Sequence, residues 1–77
     1  MEKTLREFHI RESGVVVGID ATGAIRRRIF DMGITPGTTI VLCKAAPLGD
    51  PIELIVRGYR LSIRKAEAET IRMRPVA

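Results

Sequence analysis

Ile52-Glu53-Leu54-Ile55-Val56-Arg57-Gly58-Tyr59-Arg60-Leu61-Ser62-Ile63-Arg64 is the stretch that decides the fold class. Ile52, Leu54 and Val56 alternate with Glu53, Ile55 and Arg57, the two-residue period of a strand with one buried face. Gly58-Tyr59 then leaves two residues between strands with glycine first, which suits a type II′ hairpin. Arg60 to Arg64 returns with Leu61 and Ile63 inward. Upstream, Thr39 to about Ala45 reads as another strand, with Ile40 and Leu42 on one face. Ala46-Pro47-Leu48-Gly49-Asp50-Pro51 joins the two as a loop stiffened by its prolines. Thr39–Arg64 is therefore an antiparallel meander.

Moving outward, Thr35-Pro36-Gly37-Thr38 places Pro-Gly at the centre of a type II turn. Before it, Ala24 to Met32 reads as a short helix with Ile25, Ile29 and Met32 on one stripe, Thr22 as its cap and Gly33 as its stop. Its arginines lie near the start and Asp31 near the end, both against the helix dipole. Gly14 to Ile19 is a β-branched first strand. Thr4-Leu5-Arg6-Glu7 has the capping-box spacing of a helical turn over about 4–8. Lys65 to Glu69 is a second turn, and Thr70 to Arg74 a last strand stopped by Pro75. About five short strands imply a mostly β chain, a small curled sheet or barrel with the helix covering an open end.

The chain has 77 residues, a single domain over 1–77 with a thin core filled by Ile, Val, Leu and Met, since aromatics are only 4%. That argues against a self-contained enzyme with a large pocket. One cysteine, Cys43, and one histidine, His9, exclude an internal disulfide and a usual four-ligand zinc site. His9, Asp31, Cys43, Asp50 and Glu53 are scattered without metal-ligand spacing, so no metal and no cofactor is expected. Apolar runs are too short to span a bilayer, and the N-terminus lacks a signal-peptide core. These features suit a cytoplasmic protein. The net charge is +4. Between Arg26 and Lys65 lie Arg26, Arg27, Arg28, Lys44, Arg57, Arg60, Arg64 and Lys65 against Asp31, Asp50 and Glu53, a basic middle suited to an acidic partner, nucleic acid or an anionic membrane surface.

The order of landmarks resembles the FeoA family. Arg26-Arg27-Arg28-Ile29-Phe30-Asp31-Met32-Gly33-Ile34-Thr35-Pro36-Gly37-Thr38 is similar to that family's basic-helix and Pro-Gly-Thr block. Ala46–Pro51, Val56–Lys65 and Ala66–Ile71 continue the resemblance in order. Family members often open with Leu-x-x-Leu-x-x-Gly, where this chain has Leu5-Arg6-Glu7-Phe8-His9-Ile10-Arg11-Glu12-Ser13-Gly14. The resemblance implies an SH3-like β-barrel and a non-enzymatic accessory role in bacterial ferrous iron uptake. The implied partner is the cytosolic, GTPase-containing part of the FeoB transporter, with the membrane reached only through it. The same barrel resembles the C-terminal domain of metal-dependent repressors, a second reading.

Candidate partner-binding residues are Arg26, Arg27, Phe30, Leu48 and Tyr59. Arg26 and Phe30, one helical turn apart, pair a cation with an apolar anchor, a combination favoured at interfaces. Leu48 tips the stiff loop and Tyr59 the hairpin. A nucleic-acid-binding barrel is the competing reading, but only Phe30 and Tyr59 are available to stack and they fall on different elements, so no nucleic acid is expected. An exposed edge strand leaves weak self-association open.

Overall fold

The computed structural model describes residues 1–76. The elements in chain order are β1 (Lys3–Thr4), a 3₁₀ turn (Leu5–Glu7), β2 (Ser13–Ile19), α1 (Gly23–Asp31), β3 (Thr39–Ala45), β4 (Ile52–Val56), β5 (Tyr59–Ile63), α2 (Lys65–Ala68) and β6 (Ile71–Pro75). The strands form one antiparallel sheet in the order β1-β6-β2-β3-β4-β5. The meander is present, and its alternation reads correctly: Ile52, Leu54 and Val56 are all buried.

The sheet has six strands against about five expected. The additional one is β1, whose Lys3 and Thr4 pair with Met73 and Arg72. Two residues carry no periodicity, so only the partner strand reveals them. Pro75 lies inside β6 rather than ending it, opposite Gly14, and the chain continues with Val76 N–H donating to the Ser13 carbonyl at 3.1 Å.

Strands β2 to β6, together with Leu5, Phe8, Ile29 and Ile34, contribute to a single core cluster. A sheet whose inward faces all meet in one small core must curl, and two bulges assist. Register shifts between Val16 and Gly18 against β6, and between Leu42 and Lys44 against β4, leave Val17 and Cys43 as the extra residues. No ladder joins β1 to β5, so the mostly β chain forms the small curled sheet expected of it, open in its hydrogen bonding between those two strands.

The first dozen residues are integral to this packing. Leu5 is 0% exposed, Phe8 is buried, and the Thr4 N–H donates to Glu7 Oε1 at 2.8 Å as the capping spacing predicts. The Phe8 ring crosses β2 at Gly14, where any Cβ would stand 2.7 Å from the ring. Glu12 pins the segment by accepting from His9 N–H at 2.8 Å and from Lys3 Nζ at 3.1 Å. Those two contacts, the backbone one foremost, hold its carboxyl below the ordinary range.

The hairpin turn differs from expectation. Val56 pairs with Tyr59, so the turn residues are Arg57-Gly58, with φ of 52° and 86°. Both being positive makes this a type I′ turn, not II′, the form whose twist matches its strands. Arg11 also has positive φ, 73°, at the position where the Leu-x-x-Leu-x-x-Gly lead-in carries glycine. The left-handed region costs a residue with a Cβ roughly 1–2 kcal/mol, and glycine's extra unfolded freedom returns about half of that. Arg11 makes no side-chain hydrogen bond or ion pair among the described residues. Arg11→Gly is therefore expected to stabilise by about 0.5–1 kcal/mol, a rise of a few degrees in Tm by circular dichroism. An unchanged or lower Tm contradicts the account.

Candidate functional site

The arginine triplet sits on α1, a helix that buries little. Only Ile29 is fully enclosed, with Phe30 and Met32 half-buried against the core. The expected Ile25-Ile29-Met32 stripe fails at its first member. Ile25 is 50% exposed, and residues from Gly23 to Arg28 are exposed throughout. Its azimuth is that of Ile29, but it lies one turn closer to the N-terminus, where the helix overhangs the core. Thr22 occupies the cap position with extended backbone, yet its hydroxyl makes no capping bond.

Polar contacts hold this helix at both ends and in the middle. At its entry, Arg72 donates Nε to Asp20 Oδ2 and Nη2 to Asp20 Oδ1, both at 3.2 Å. The Arg72 guanidinium lowers the Asp20 carboxyl below its usual range, and Asp20 in turn raises Arg72. Arg26 Nη1 donates to the Ile19 carbonyl at 3.1 Å while its guanidinium lies 4.6 Å from the centre of the Phe30 ring. Midway, Arg28 Nε stands 3.4 Å from Oε2 of the buried Glu67, whose Oε1 accepts the Arg64 N–H at 2.9 Å.

The exit from α1 is gripped by the β4–β5 hairpin. Tyr59 donates its hydroxyl to the Met32 carbonyl at 2.8 Å. Arg57 donates Nε to the Gly33 carbonyl at 3.3 Å, and Nη2 to Thr35 Oγ1 at 3.3 Å and Thr38 Oγ1 at 3.0 Å. Gly33, at φ 85°, has the helix-stop conformation that its position predicts. A Cβ there would stand 3.1 Å from the Tyr59 hydroxyl.

Arg26 and Phe30 are thus brought together on α1 with Arg27 exposed beside them, and Tyr59 is tied to the exit of the same helix. Leu48 is not. It is 96% exposed in the β3–β4 loop, whereas Tyr59 begins β5 at the strand's other end, since Ile52 pairs with Ile63 and Val56 with Tyr59. Phe30 is half-buried with Arg26 against one face, and Tyr59 is tied through its hydroxyl, so the two aromatics present no shared stacking platform. No three His, Cys, Asp or Glu side chains among the described residues gather where a metal could be held. The arrangement can recognise an anionic, partly apolar surface.

Sequence reasoning missed Arg57, Glu67 and the exposure of Ile25. Arg57-Gly58 as the paired turn residues was the available signal for the first. Arg64-x-x-Glu67, a reach-back spacing, was the signal for the second.

The FeoA domain family matches residues 3–75. Over 67 residues the chain is 36% identical to an Fe(2+) transport protein A/Fe(2+) transporter FeoB fusion protein of Porphyromonas gingivalis, covering 87% of this chain and 8% of that relative. The solution structure of a FeoA-like protein from Clostridium acetobutylicum is 43% identical with a TM-score of 0.92, covering 99% of this chain and 88% of that one. The crystal structure of Stenotrophomonas maltophilia FeoA complexed with zinc, described as an SH3 domain protein, is 28% identical with a TM-score of 0.80, covering 92% and 88%.

Two predictions follow from the tethering of α1. Tyr59→Phe is expected to cost about 1 kcal/mol and Arg57→Gly about 1–2 kcal/mol despite the relief of its backbone, read from urea denaturation; stability equal to the parent protein refutes the clasp. Asp20 has a folded pKa below its unfolded one. Its contribution is complete above an ordinary aspartate pKa of about 3.9 and disappears as pH falls through the lower folded value. Tm should fall on acidification through that window, and less steeply in Asp20→Asn.

Proposed function

This chain belongs to the FeoA family, and on that premise we propose that it is a non-enzymatic accessory protein of ferrous iron transport that docks on the cytosolic, GTPase-containing part of a FeoB-type transporter. The support for the partner is the Porphyromonas gingivalis relative, in which transport protein A and transporter FeoB are one chain. This chain spans 8% of that relative's length. Fusion raises the local concentration of one part around the other and makes weak docking effective. On this reading the protein is cytoplasmic and meets the membrane through its partner.

The observation that carries the docking site is the exposed, tethered face of α1. Arg26 is held over Phe30, and Arg27, about 100° further round the helix, is exposed with no hydrogen-bond or ion-pair partner among the described residues. A cationic surface with an apolar centre suits an acidic patch with a hydrophobic contact at its middle. Binding there would bias the partner's conformational equilibrium only by the difference in contact with its two states, a mechanism that needs no chemistry from this chain. Tyr59 extends the face, while Leu48 lies apart from it and would add a separate contact.

The test is isothermal titration of the purified cytosolic part of the cognate FeoB-type transporter, with and without GTP. Phe30→Ala is a poor probe because Phe30 packs against the core. Arg27→Glu alters only an exposed position and is expected to weaken binding about tenfold or more with Tm unchanged. Parental affinity in that variant overturns the docking face, and no measurable heat with any nucleotide overturns the partner.

A further inference from the structure

The sheet ends on one side at β5, a five-residue strand whose ladder runs to β4 alone. Val56 and Tyr59 close a two-residue turn, so they form a hydrogen-bonded pair, and such pairs alternate along the ladder. Leu54 with Leu61 and Ile52 with Ile63 are the others. The N–H and C=O groups of Arg60 and Ser62 therefore point away from β4. Both residues are exposed, and their backbone groups have no other hydrogen-bond partner among the described residues. An unpaired edge of this kind is a template for a further strand.

We propose that β5 pairs antiparallel with β5 of a second copy of this chain, about a two-fold axis at Leu61. Two-fold registers that bring the outward backbone groups together are centred on Arg60, Leu61 or Ser62. Centring on Arg60 sets that arginine against itself. Centring on Ser62 sets it against Arg64 of the partner subunit. Like charges directly opposite oppose both. Centring on Leu61 sets Arg60 against Ser62 of the partner subunit, and Ser62 against Arg60 of the partner subunit, each pair exchanging both of its backbone hydrogen bonds. On the inner side the half-buried Leu61 then meets Leu61 of the partner subunit, and Tyr59 meets Ile63 of the partner subunit.

This self-complementarity selects the occupant. A long cation on an edge ordinarily guards it, so Arg60 admits a strand only where a short, uncharged side chain lies opposite. Ser62, two residues along the same strand, supplies that side chain. Ser62 is also the cross-strand partner of Glu53, so the incoming arginine extends a row that holds a carboxylate. The sheet's other edge, β1, has only two residues, so the contact closes as a dimer and does not propagate. One strand of five residues falls short of a standard interface, and each copy brings a net charge of +4. The pair is therefore weak, with a dissociation constant on the order of 0.1–1 mM.

The experiment is sedimentation equilibrium up to about 1 mM protein, with isotope-filtered NMR on an equal mixture of labelled and unlabelled copies. A monomer–dimer equilibrium is expected, with a contact between Tyr59 Hα and the Hα of Ile63 of the partner subunit. Within one copy those protons lie about 13 Å apart along an extended strand, too far for such a contact. Ser62→Lys faces Glu53 in its own chain but puts a cation opposite Arg60 in both pairs. It should weaken association about tenfold, with Tm at low concentration unchanged. Ser62→Thr, short and uncharged, should associate as the parent protein does. Arg27→Glu should leave association unaltered, so failure here and failure of the transporter reading are separable. A protein that stays monomeric up to about 1 mM, a dimer that Ser62→Lys leaves equally strong, or one whose contacts between copies lie away from β5 would each overturn the proposal.

Discussion

The placement of α1 rests on the hydrogen bonds from Arg57 and Tyr59 to the chain that leaves it. A helix of nine residues that encloses one isoleucine gains about 1.5–3 kcal/mol from that burial. A single enclosed residue fixes the helix's rotation and position only weakly. Two side chains from a tight hairpin add to that hold by satisfying the Met32 and Gly33 carbonyls, which a helix end otherwise presents to water. Arg72 on Asp20 and Glu67 on Arg28 complete the hold from the other side.

This division of labour follows from the size of the core. Strands β2 to β6, of five to seven residues and filled by aliphatic side chains, give a sheet that must curl to enclose anything. Its curvature is assisted at Val17 and Cys43, where one strand carries an extra residue. Its integrity depends on β6, the last strand in sequence, lying between β1 and β2. The closing contacts are thus among the longest-range in the chain, while the meander needs only neighbours. Leu5 and Phe8 then plug the region beside β6, which makes the N-terminal segment part of the fold despite its departure from the usual lead-in.

Positive charge is distributed unevenly over this scaffold. Arg57 and Arg72 are consumed in tethering, and Arg28 and Arg60 face carboxylates. Arg27 and the Lys65 ammonium lack such partners among the described residues. A count of basic residues treats all of these alike. Only their internal bonding separates cations that build the protein from cations free to meet another one.

The amino-acid order by itself determined the meander, the Pro36-Gly37 turn, the Gly33 stop and the inward residues of β3 to β5, because each depends on period or on backbone stereochemistry within a few residues. Arg26 and Phe30 were legible as a pair for the same reason, being one helical turn apart. Tertiary structure alone decided the two-residue strand β1, the place of β6, the exposure of Ile25 and the role of Arg57. Those features depend on which distant backbone groups lie opposite them, and on where a helix overruns its core. Local pattern records a residue's preference for being covered; the rest of the folded chain supplies or withholds the cover.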